Sequence, residues 1–397
     1  MVAATSKTIV LSGYYGFRNS GDEAVLQSIL LALEEEGLTT GVDIKPVVLS
    51  IDPEWTSRTY GVEAVHRMKL GEVRKAIKSS DGLISGGGSL LQDATGIKSI
   101  PYYLGVIKLA QWLGKPTFVY AQGIGPVNRK LFRPLIASVF RRCDYISVRD
   151  AESASLLRDM GIRGKNAVQV VPDPVMGLTL PESVHGSAGD AQASSAQAAE
   201  PAEGTVPAEG SAALPVVGVS VRFWNETRTE LTQLAEGLSL LCRRKPVHIR
   251  FLPFHFPGDD EASRFVVERL GNVAAERGCT VSIAPETEHP QDMLREVSRC
   301  SLLVGMRLHS LIYAASQNVP LLGVSYDPKI DQFLGRIGSV PVGSAEELDP
   351  RILAAEGERL LNEAGTWRKS HAAQIAELKR EARVPARRIV EFLRNEG

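Results

Sequence analysis

The most informative run of the chain is LLVGMRLHSLIYAASQNVPLLGVSYDPK, residues 302–329. It opens with a short apolar run that predicts a buried strand, and a turn holding Arg307 and His309 follows. An apolar helix is predicted to begin at Ser310, and a second apolar strand ends at Tyr326. Two short strands joined by a helix are typical of a parallel βαβ unit.

The alternation of short strands and helices continues on both sides of this stretch. The predicted strands are residues 9–12, 47–51, 82–85, 117–121, 145–148, 216–221, 247–253, 281–284, 302–305 and 320–325. One predicted helix spans residues 22–36, with an apolar face, two acids in its first turn and Gly37 at its end. We therefore expect an α/β protein with two Rossmann-like doubly wound domains facing across a cleft. Ligands of such sheets bind beyond the carboxyl ends of the strands.

A low-complexity segment divides the chain. Residues 181–214 consist mainly of Ala, Gly, Ser, Pro and Glu, which cannot bury enough apolar surface to offset the entropy of ordering. The sequence predicts a flexible linker there, between an N-terminal domain (1–180) and a C-terminal domain (215–365). Residues 366–397 are predicted to form basic helices with a solvated face, interrupted near Pro385.

Composition argues against several classes of protein. Lys and Arg total 45 against 46 Asp and Glu, whereas nucleic-acid-binding domains are strongly basic. The four cysteines are far apart and fit neither zinc spacing nor a disulfide framework. The sequence has no signal-peptide pattern and no apolar run of roughly 20 residues. We expect a cytoplasmic protein that binds neither nucleic acid nor metal.

One basic segment leaves two interpretations open. Residues 128–142, NRKLFRPLIASVFRR, combine five Lys or Arg with six large apolar residues and no acid. Such a segment either rests on anionic lipid head groups, as a peripheral membrane contact, or is an ordinary packed helix with basic ends.

Cationic side chains follow several predicted strands. Arg307 and His309 lie beside a helix start, whose backbone N–H groups favour an anion, and Lys329 follows the next strand. Alternatively, Arg307 pairs with an acid such as Asp327, and His309 only caps the helix. The cluster predicts an anion site.

Two further arginines occupy equivalent positions in other βα units. Arg149 and Arg222 each come directly after a predicted strand, and the planar guanidinium suits carboxylate and phosphate groups. Because Asp150 follows Arg149 in the chain, a salt bridge and a ligand contact are equally good interpretations of that arginine. Arg222 has no adjacent acid, which favours a ligand contact.

Glycine-rich turns follow three strands of the first half, at residues 13–23, 85–93 and 121–126. None matches a phosphate loop or a dinucleotide-binding fingerprint. Asn19, Asp22 and Gln92 lie in these turns and are of the type that binds sugar hydroxyls, although such residues often serve as helix caps.

Five stretches of the chain resemble the polysaccharide pyruvyl transferase family, and in particular its cell-surface-anchoring (CsaB) type. They are GYYGFRNSGDEAVLQSIL (13–30), GGGSLLQD (86–93), YAQGIGP (120–126), SVRDAESASLLRDMGI (147–162) and VGMRLHSLIYAASQNVPLLGVSYDPK (304–329). The R-L-H triplet followed by Y-D-P-K is the specific part. The resemblance covers nearly the whole chain except the linker, which is longer and lower in complexity than is usual in the family.

The resemblance implies a GT-B-like pair of domains that transfers a pyruvyl group from phosphoenolpyruvate to a sugar. For the CsaB type the acceptor is N-acetylmannosamine of a lipid-linked secondary cell-wall polymer precursor, converted to a 4,6-ketal that surface-layer homology domains bind. A lipid-linked acceptor places the enzyme at the inner face of the membrane. Phosphoenolpyruvate is a substrate, and no cofactor is implied. The implied donor site consists of Arg307, Leu308 and His309, supported by Lys329 and the arginines that follow strands.

A mechanism follows as a hypothesis. His309 is the candidate general acid, because ketal formation requires protonation of the donor's methylene carbon; the alternative is that it only binds phosphate as a cation. Arg307 and Lys329 are assigned to the donor's phosphate and carboxylate, with Arg149 and Arg222 in support. Asn19, Asp22 and Gln92 are assigned to the acceptor sugar. Two rival functions are a nucleotide-sugar-dependent GT-B glycosyltransferase and a non-catalytic anion- or sugar-binding protein.

Overall fold

The computed structural model describes residues 5–93, 99–163, 167–181 and 214–395. Nearly all of the predicted linker lies outside these ranges. The described residues form two parallel β-sheets with helices on both faces, as the sequence predicts. Over the same ranges, no helix combines the length and the apolar character needed to cross a bilayer.

The first sheet has seven parallel strands in the order β3-β2-β1-β4-β5-β6-β7. Their bounds are β1 Thr5–Tyr15, β2 Val42–Ser50, β3 Glu63–His66, β4 Gly82–Gly86, β5 Thr117–Gln122, β6 Tyr145–Val148 and β7 Gln169–Val170. The strand order reverses between β1 and β4, which opens a crevice at their carboxyl ends, where ligands of such sheets bind.

Six helices follow these strands. They are α1 Ser20–Thr40, α2 Pro53–Tyr60, α3 Leu70–Ser79, α4 Ser99–Trp112, α5 Phe132–Phe140 and α6 Ala151–Asp159. Helices α3 to α6 bury their apolar side chains in one core on one face of the sheet, including Ile77, Ile107 and Ile136. Helix α1 buries Leu26 and Ile29 in a separate core on the other face.

The second sheet has six parallel strands in the order β10-β9-β8-β11-β12-β13. The strands are β8 Val216–Ser220, β9 His248–Phe251, β10 Thr280–Ile283, β11 Leu302–Gly305, β12 Leu321–Ser325 and β13 Gly343–Ser344. The helices are α7 Thr229–Arg244, α8 Gly258–Leu270, α9 Val273–Glu276, α10 Pro290–Ser298, α11 Leu308–Ser316, α12 Pro328–Arg336 and α13 Pro350–Asn362. The strand order of this second sheet reverses between β8 and β11. Each domain therefore has a crevice at the carboxyl ends of its central strands.

Two C-terminal helices, α14 Ala364–Ala382 and α15 Val384–Asn395, connect the domains. Helix α15 returns to the first sheet, where the rings of Phe118 and Phe392 meet edge to face with centroids 5.2 Å apart. Arg383 and Arg387 pair with Glu35 and Glu36 of α1. Part of the basic face predicted to be solvated is therefore used in contacts between helices.

The predicted end of the helix at Gly37 is wrong. Helix α1 continues to Thr40, and Gly41, with φ of 73°, caps it in the left-handed conformation. Gly37 serves a packing purpose, because a Cβ there would lie 2.6 Å from the carbonyl oxygen of Val42. Glycine at position 37 is therefore required by this close contact and not by the end of the helix.

Candidate active site

The first turns of α1 and α11 meet in the cleft between the domains. His309 lies in the first turn of α11, which begins at Leu308 and not at Ser310 as predicted. Its imidazole packs on the backbone of α1, since a Cβ on Gly21 would overlap the ring. His309 of the second domain is thus positioned by the first domain.

Asp173, just after β7, organises the charges around His309. It accepts a hydrogen bond from Arg149 Nη1 (3.0 Å) and lies 3.7 Å from His309 Nε2. Arg149 Nη2 donates to Ser89 Oγ (2.8 Å), and its Nε lies 3.8 Å from Asp150. The salt-bridge interpretation of Arg149 is therefore confirmed, and the ligand contact stays a prediction for a side chain that lies beside the same carboxylate as His309.

The electrostatics of Asp173 fit an anchoring role. Burial would raise its pKa, but the neighbouring His309, the Arg149 guanidinium and the backbone N–H of Val175 outweigh burial and hold the pKa at about 2. The carboxylate is therefore ionised at physiological pH. His309 Nε2, by contrast, is a buried atom without a hydrogen-bond partner among the described residues, so it can engage a ligand.

Asp22 is a second titratable group beside His309. Burial raises its pKa from 3.8 to about 6, an effect opposed by the charges of His309 and Arg149 and reinforced by Asp173. A carboxyl group that titrates near neutral pH can give up or accept a proton during turnover.

A cavity of about 360 Å³ lies in front of these groups and is called the first cavity here. Its lining includes Tyr14, Asp22, Gln92, Arg149 and His309. Two of the three residues assigned to the acceptor, Asp22 and Gln92, therefore line one cavity with the predicted general acid.

Asn19 has a different position. Its side chain caps α1 by accepting a hydrogen bond from Gly21 N (3.1 Å), and it does not line the first cavity. The structure gives Asn19 the capping role that such residues often have.

A second cavity of about 420 Å³ lies on the other side of Arg149. Leu308, Lys329 and Arg336 line it together with Arg149. Burial and the nearby Arg149 lower the pKa of Lys329, whose Nζ lies 4.0 Å from Asp327. Arg149 thus borders both cavities, with His309 on one side and Lys329 on the other.

Arg307 lines neither cavity, and its assignment to the anion stays a prediction. Its Nε donates to Asp259 Oδ2 (3.0 Å), and its Nη2 contacts Asp259 Oδ1. Asp259 is buried and also accepts hydrogen bonds from the backbone N–H groups of Phe254 and His255. The partner of Arg307 is therefore an acid 48 residues away and not Asp327, and the pair fixes the start of α11.

Arg222 is also apart from the other predicted residues. Its Nη1 donates to the Tyr326 hydroxyl (3.1 Å), and its guanidinium lies 5.5 Å from the Trp224 ring centroid. Cation–π contacts of this kind hold the side chain, and Arg222 lines neither cavity.

Sequence reasoning missed Asp173 and an aromatic pair. Asp173 lies three residues after β7, a strand of only two residues, so no strand-end signal in the sequence marks it. Tyr14 and Phe17 stack with centroids 3.9 Å apart, and both are more than one-third exposed. Tyr14 lines the first cavity, and Arg67 is 5.4 Å from the Phe17 ring.

The raised pKa of Asp22 predicts a pH-dependent cost to stability. A carboxyl with a higher pKa in the folded chain binds a proton on folding, so its cost is absent below pH 3.8 and complete above about pH 6. Asp22→Asn should therefore raise the free energy of unfolding by about 1–3 kcal/mol at pH 8, and by little at pH 4. Denaturant unfolding of both proteins at the two pH values measures this, and an equal difference at both would contradict it.

Two Rossmann-like domains that meet at a cleft define a GT-B-like fold, and solved structures share it. A UDP-GlcNAc 2-epimerase from Methanocaldococcus jannaschii has a TM-score of 0.60 and 11% identity, covering 98% of this chain and 100% of that one. A glycosyltransferase from Rickettsia africae has a TM-score of 0.60 and 11% identity, covering 98% of each chain. At such identities the likeness establishes the fold.

The chain belongs to the polysaccharide pyruvyl transferase family, whose sequence model matches residues 19–328. The match includes the R-L-H triplet and ends at Pro328. No curated protein sequence matches the chain. The protein is thus a transferase of polysaccharide biosynthesis on the GT-B fold.

Proposed function

We propose that the protein transfers a pyruvyl group from phosphoenolpyruvate to a sugar of a lipid-linked cell-wall polymer precursor. The observation that carries the proposal is the position of Arg149 between the two cavities, with His309 on one side and Lys329 on the other. Phosphoenolpyruvate is a small anion with a carboxylate and a phosphate, and these cations match both groups. It is a substrate, and the proposal invokes no cofactor.

The first cavity is the proposed place of the acceptor. Asp22 and Gln92 supply hydrogen-bonding groups for sugar hydroxyls, and the Tyr14 ring supplies an apolar wall. In the CsaB type the acceptor is N-acetylmannosamine, bridged through its 4- and 6-hydroxyls. The same reading places the enzyme at the cytoplasmic face of the membrane.

The proposed chemistry needs one acid and one base. His309 donates a proton to C3 of phosphoenolpyruvate, and C2 becomes cationic. One sugar hydroxyl attacks C2 and gives its proton to Asp22 or back to His309. The C2–O bond to phosphate then breaks, and the second hydroxyl attacks C2. One hydroxyl proton ends on the new methyl group and the other leaves with hydrogen phosphate, so the reaction balances.

Arg307, Arg222 and Asn19 have indirect roles in this proposal. Arg307 holds α11 and thereby His309 through Asp259, and is a positioning residue. Arg222 adds positive charge near β12 without contacting the donor. Asn19 caps the helix on which His309 packs.

Ligand-dependent stability distinguishes this proposal from the rival glycosyltransferase. Phosphoenolpyruvate at about 100 times its Kd should raise the free energy of unfolding by about 2.7 kcal/mol, whereas UDP-N-acetylglucosamine should not. Thermal unfolding with each ligand measures the effect. Stabilisation by the nucleotide sugar alone would favour the glycosyltransferase, and stabilisation by phosphoenolpyruvate without phosphate release would favour a non-catalytic binding protein.

A further inference from the structure

An apolar and basic surface on α5 lies outside both cavities. Leu131 and Leu135 are 61% and 50% exposed, although the other apolar side chains of this segment are buried. Leu131 has helical backbone angles, so the two leucines are one helical turn apart on the same face. Exposed leucines that are adjacent in space form a patch, and patches of this kind mark interaction sites.

Several cations lie close to the two leucines in the sequence. Arg129, Lys130, Arg133 and Arg142 are all exposed, and no acid occurs between residues 128 and 142. Arg133 is two residues from each leucine and therefore faces away from them on the helix, so we call the two leucines with Arg129, Lys130 and Arg142 the α5 patch. The patch carries only positive charges, whereas the whole chain has a net formal charge of -1.

The α5 patch is anchored beside the first cavity. The carboxylate of Asp93 accepts hydrogen bonds from the backbone N–H groups of Asn128 (2.9 Å) and Arg129 (2.8 Å). Asp93 directly follows Gln92, which lines the first cavity. The structure thus fixes the start of the α5 patch next to the rim of the cavity.

Trp112 extends the apolar character of this side of the domain. It is 74% exposed at the end of α4, next to Gln111, whose side-chain amide donates to the Val139 carbonyl of α5 (2.9 Å). Tryptophan, leucine and basic residues together are the composition found where proteins contact the interface of a bilayer.

We propose that the α5 patch docks the enzyme on an anionic lipid bilayer. The cations face the head groups and the two leucines enter the interface between head groups and acyl chains. The complementary charge favours a bilayer over a second copy of this chain, because two basic patches would repel each other. The proposal stands without the pyruvyl-transfer assignment, since docking is a property of the surface alone.

Co-sedimentation with lipid vesicles tests the proposal. We expect binding to vesicles of phosphatidylcholine with phosphatidylglycerol, weak binding to phosphatidylcholine alone, and loss of binding between about 0.05 and about 0.5 M salt, because added ions screen the charges. Leu131→Ser with Leu135→Ser, and separately Arg129→Glu with Lys130→Glu, should each lower the bound fraction at least about tenfold.

Leu38→Ser is the matched control. Leu38 is 79% exposed on α1, which packs on the opposite face of the sheet, so this variant should bind as the unchanged protein does. All variants should keep the original unfolding temperature, since the replaced side chains are exposed. The proposal is overturned if the unchanged protein does not bind anionic vesicles at low salt, or if the double-leucine variant binds them equally well. It is also overturned if sedimentation shows a dimer that only the double-leucine variant loses.

Discussion

His309→Ala should lower the turnover of pyruvyl transfer by about 10²- to 10⁴-fold, the contribution of a positioned general acid or base. The imidazole lines the first cavity, and its Nε2 has no hydrogen-bond partner among the described residues. Some loss of stability should accompany the loss of turnover, because the alanine removes a neighbour 3.7 Å from the buried Asp173 carboxylate. Phosphate release and the unfolding temperature, measured on the same preparation, separate the two effects.

His255→Ala is the control for this experiment. His255 is exposed, and its backbone N–H, which the substitution leaves intact, is what bonds Asp259. Turnover of this variant should match the unchanged protein. A His309→Ala protein with near-normal turnover would show that the proton donor lies elsewhere, with Asp22 the next candidate.

Arg149→Ala should abolish stabilisation by phosphoenolpyruvate and destabilise the protein by about 3–5 kcal/mol, the usual effect of leaving one buried charge unpaired. The side chains of Arg149 and Asp173 are only 8% and 6% exposed. The low pKa of Asp173 means that its charge persists in the variant unless the group takes up a proton. Denaturant unfolding and a phosphoenolpyruvate titration measure the two losses.

Two further variants separate the structural role of Arg149 from donor binding. Arg149→Lys keeps the charge but not the planar fork, so it should recover part of the stability and little of the donor binding. Arg149→Ala with Asp173→Ala removes both charges and should be more stable than Arg149→Ala alone. If Arg149→Ala binds phosphoenolpyruvate as the unchanged protein does, the donor site is misplaced.

The elements of the fold that depend on local pattern could be predicted from the sequence. The apolar strands of both sheets were found because each is a short run bounded by turn residues, as at 302–305. Strands β3, β7 and β13 were missed, since two of them contain only two residues and β3, Glu63–His66, lacks a continuous apolar run. Gly37 shows the limit of a local rule, because the contact that requires glycine there comes from the next strand.

The sequence could not predict which charged side chains of the candidate site pair with each other. Strand-end position identified His309, Lys329 and Arg149, because the carboxyl ends of parallel strands meet at one edge of a sheet. The pairing of Arg307 with Asp259 spans 48 residues and depends on how α8 and α11 pack. No local pattern in the chain specifies that packing.

The most direct test of the account is turnover with carbon-labelled phosphoenolpyruvate and a lipid-linked N-acetylmannosamine acceptor. The account predicts that one phosphate is released for each acceptor pyruvylated, and that the labelled C2 becomes a ketal carbon bonded to two sugar oxygens. Release of phosphate without a sugar-bound ketal, or no reaction at all from a folded protein that is stabilised by phosphoenolpyruvate, would contradict it.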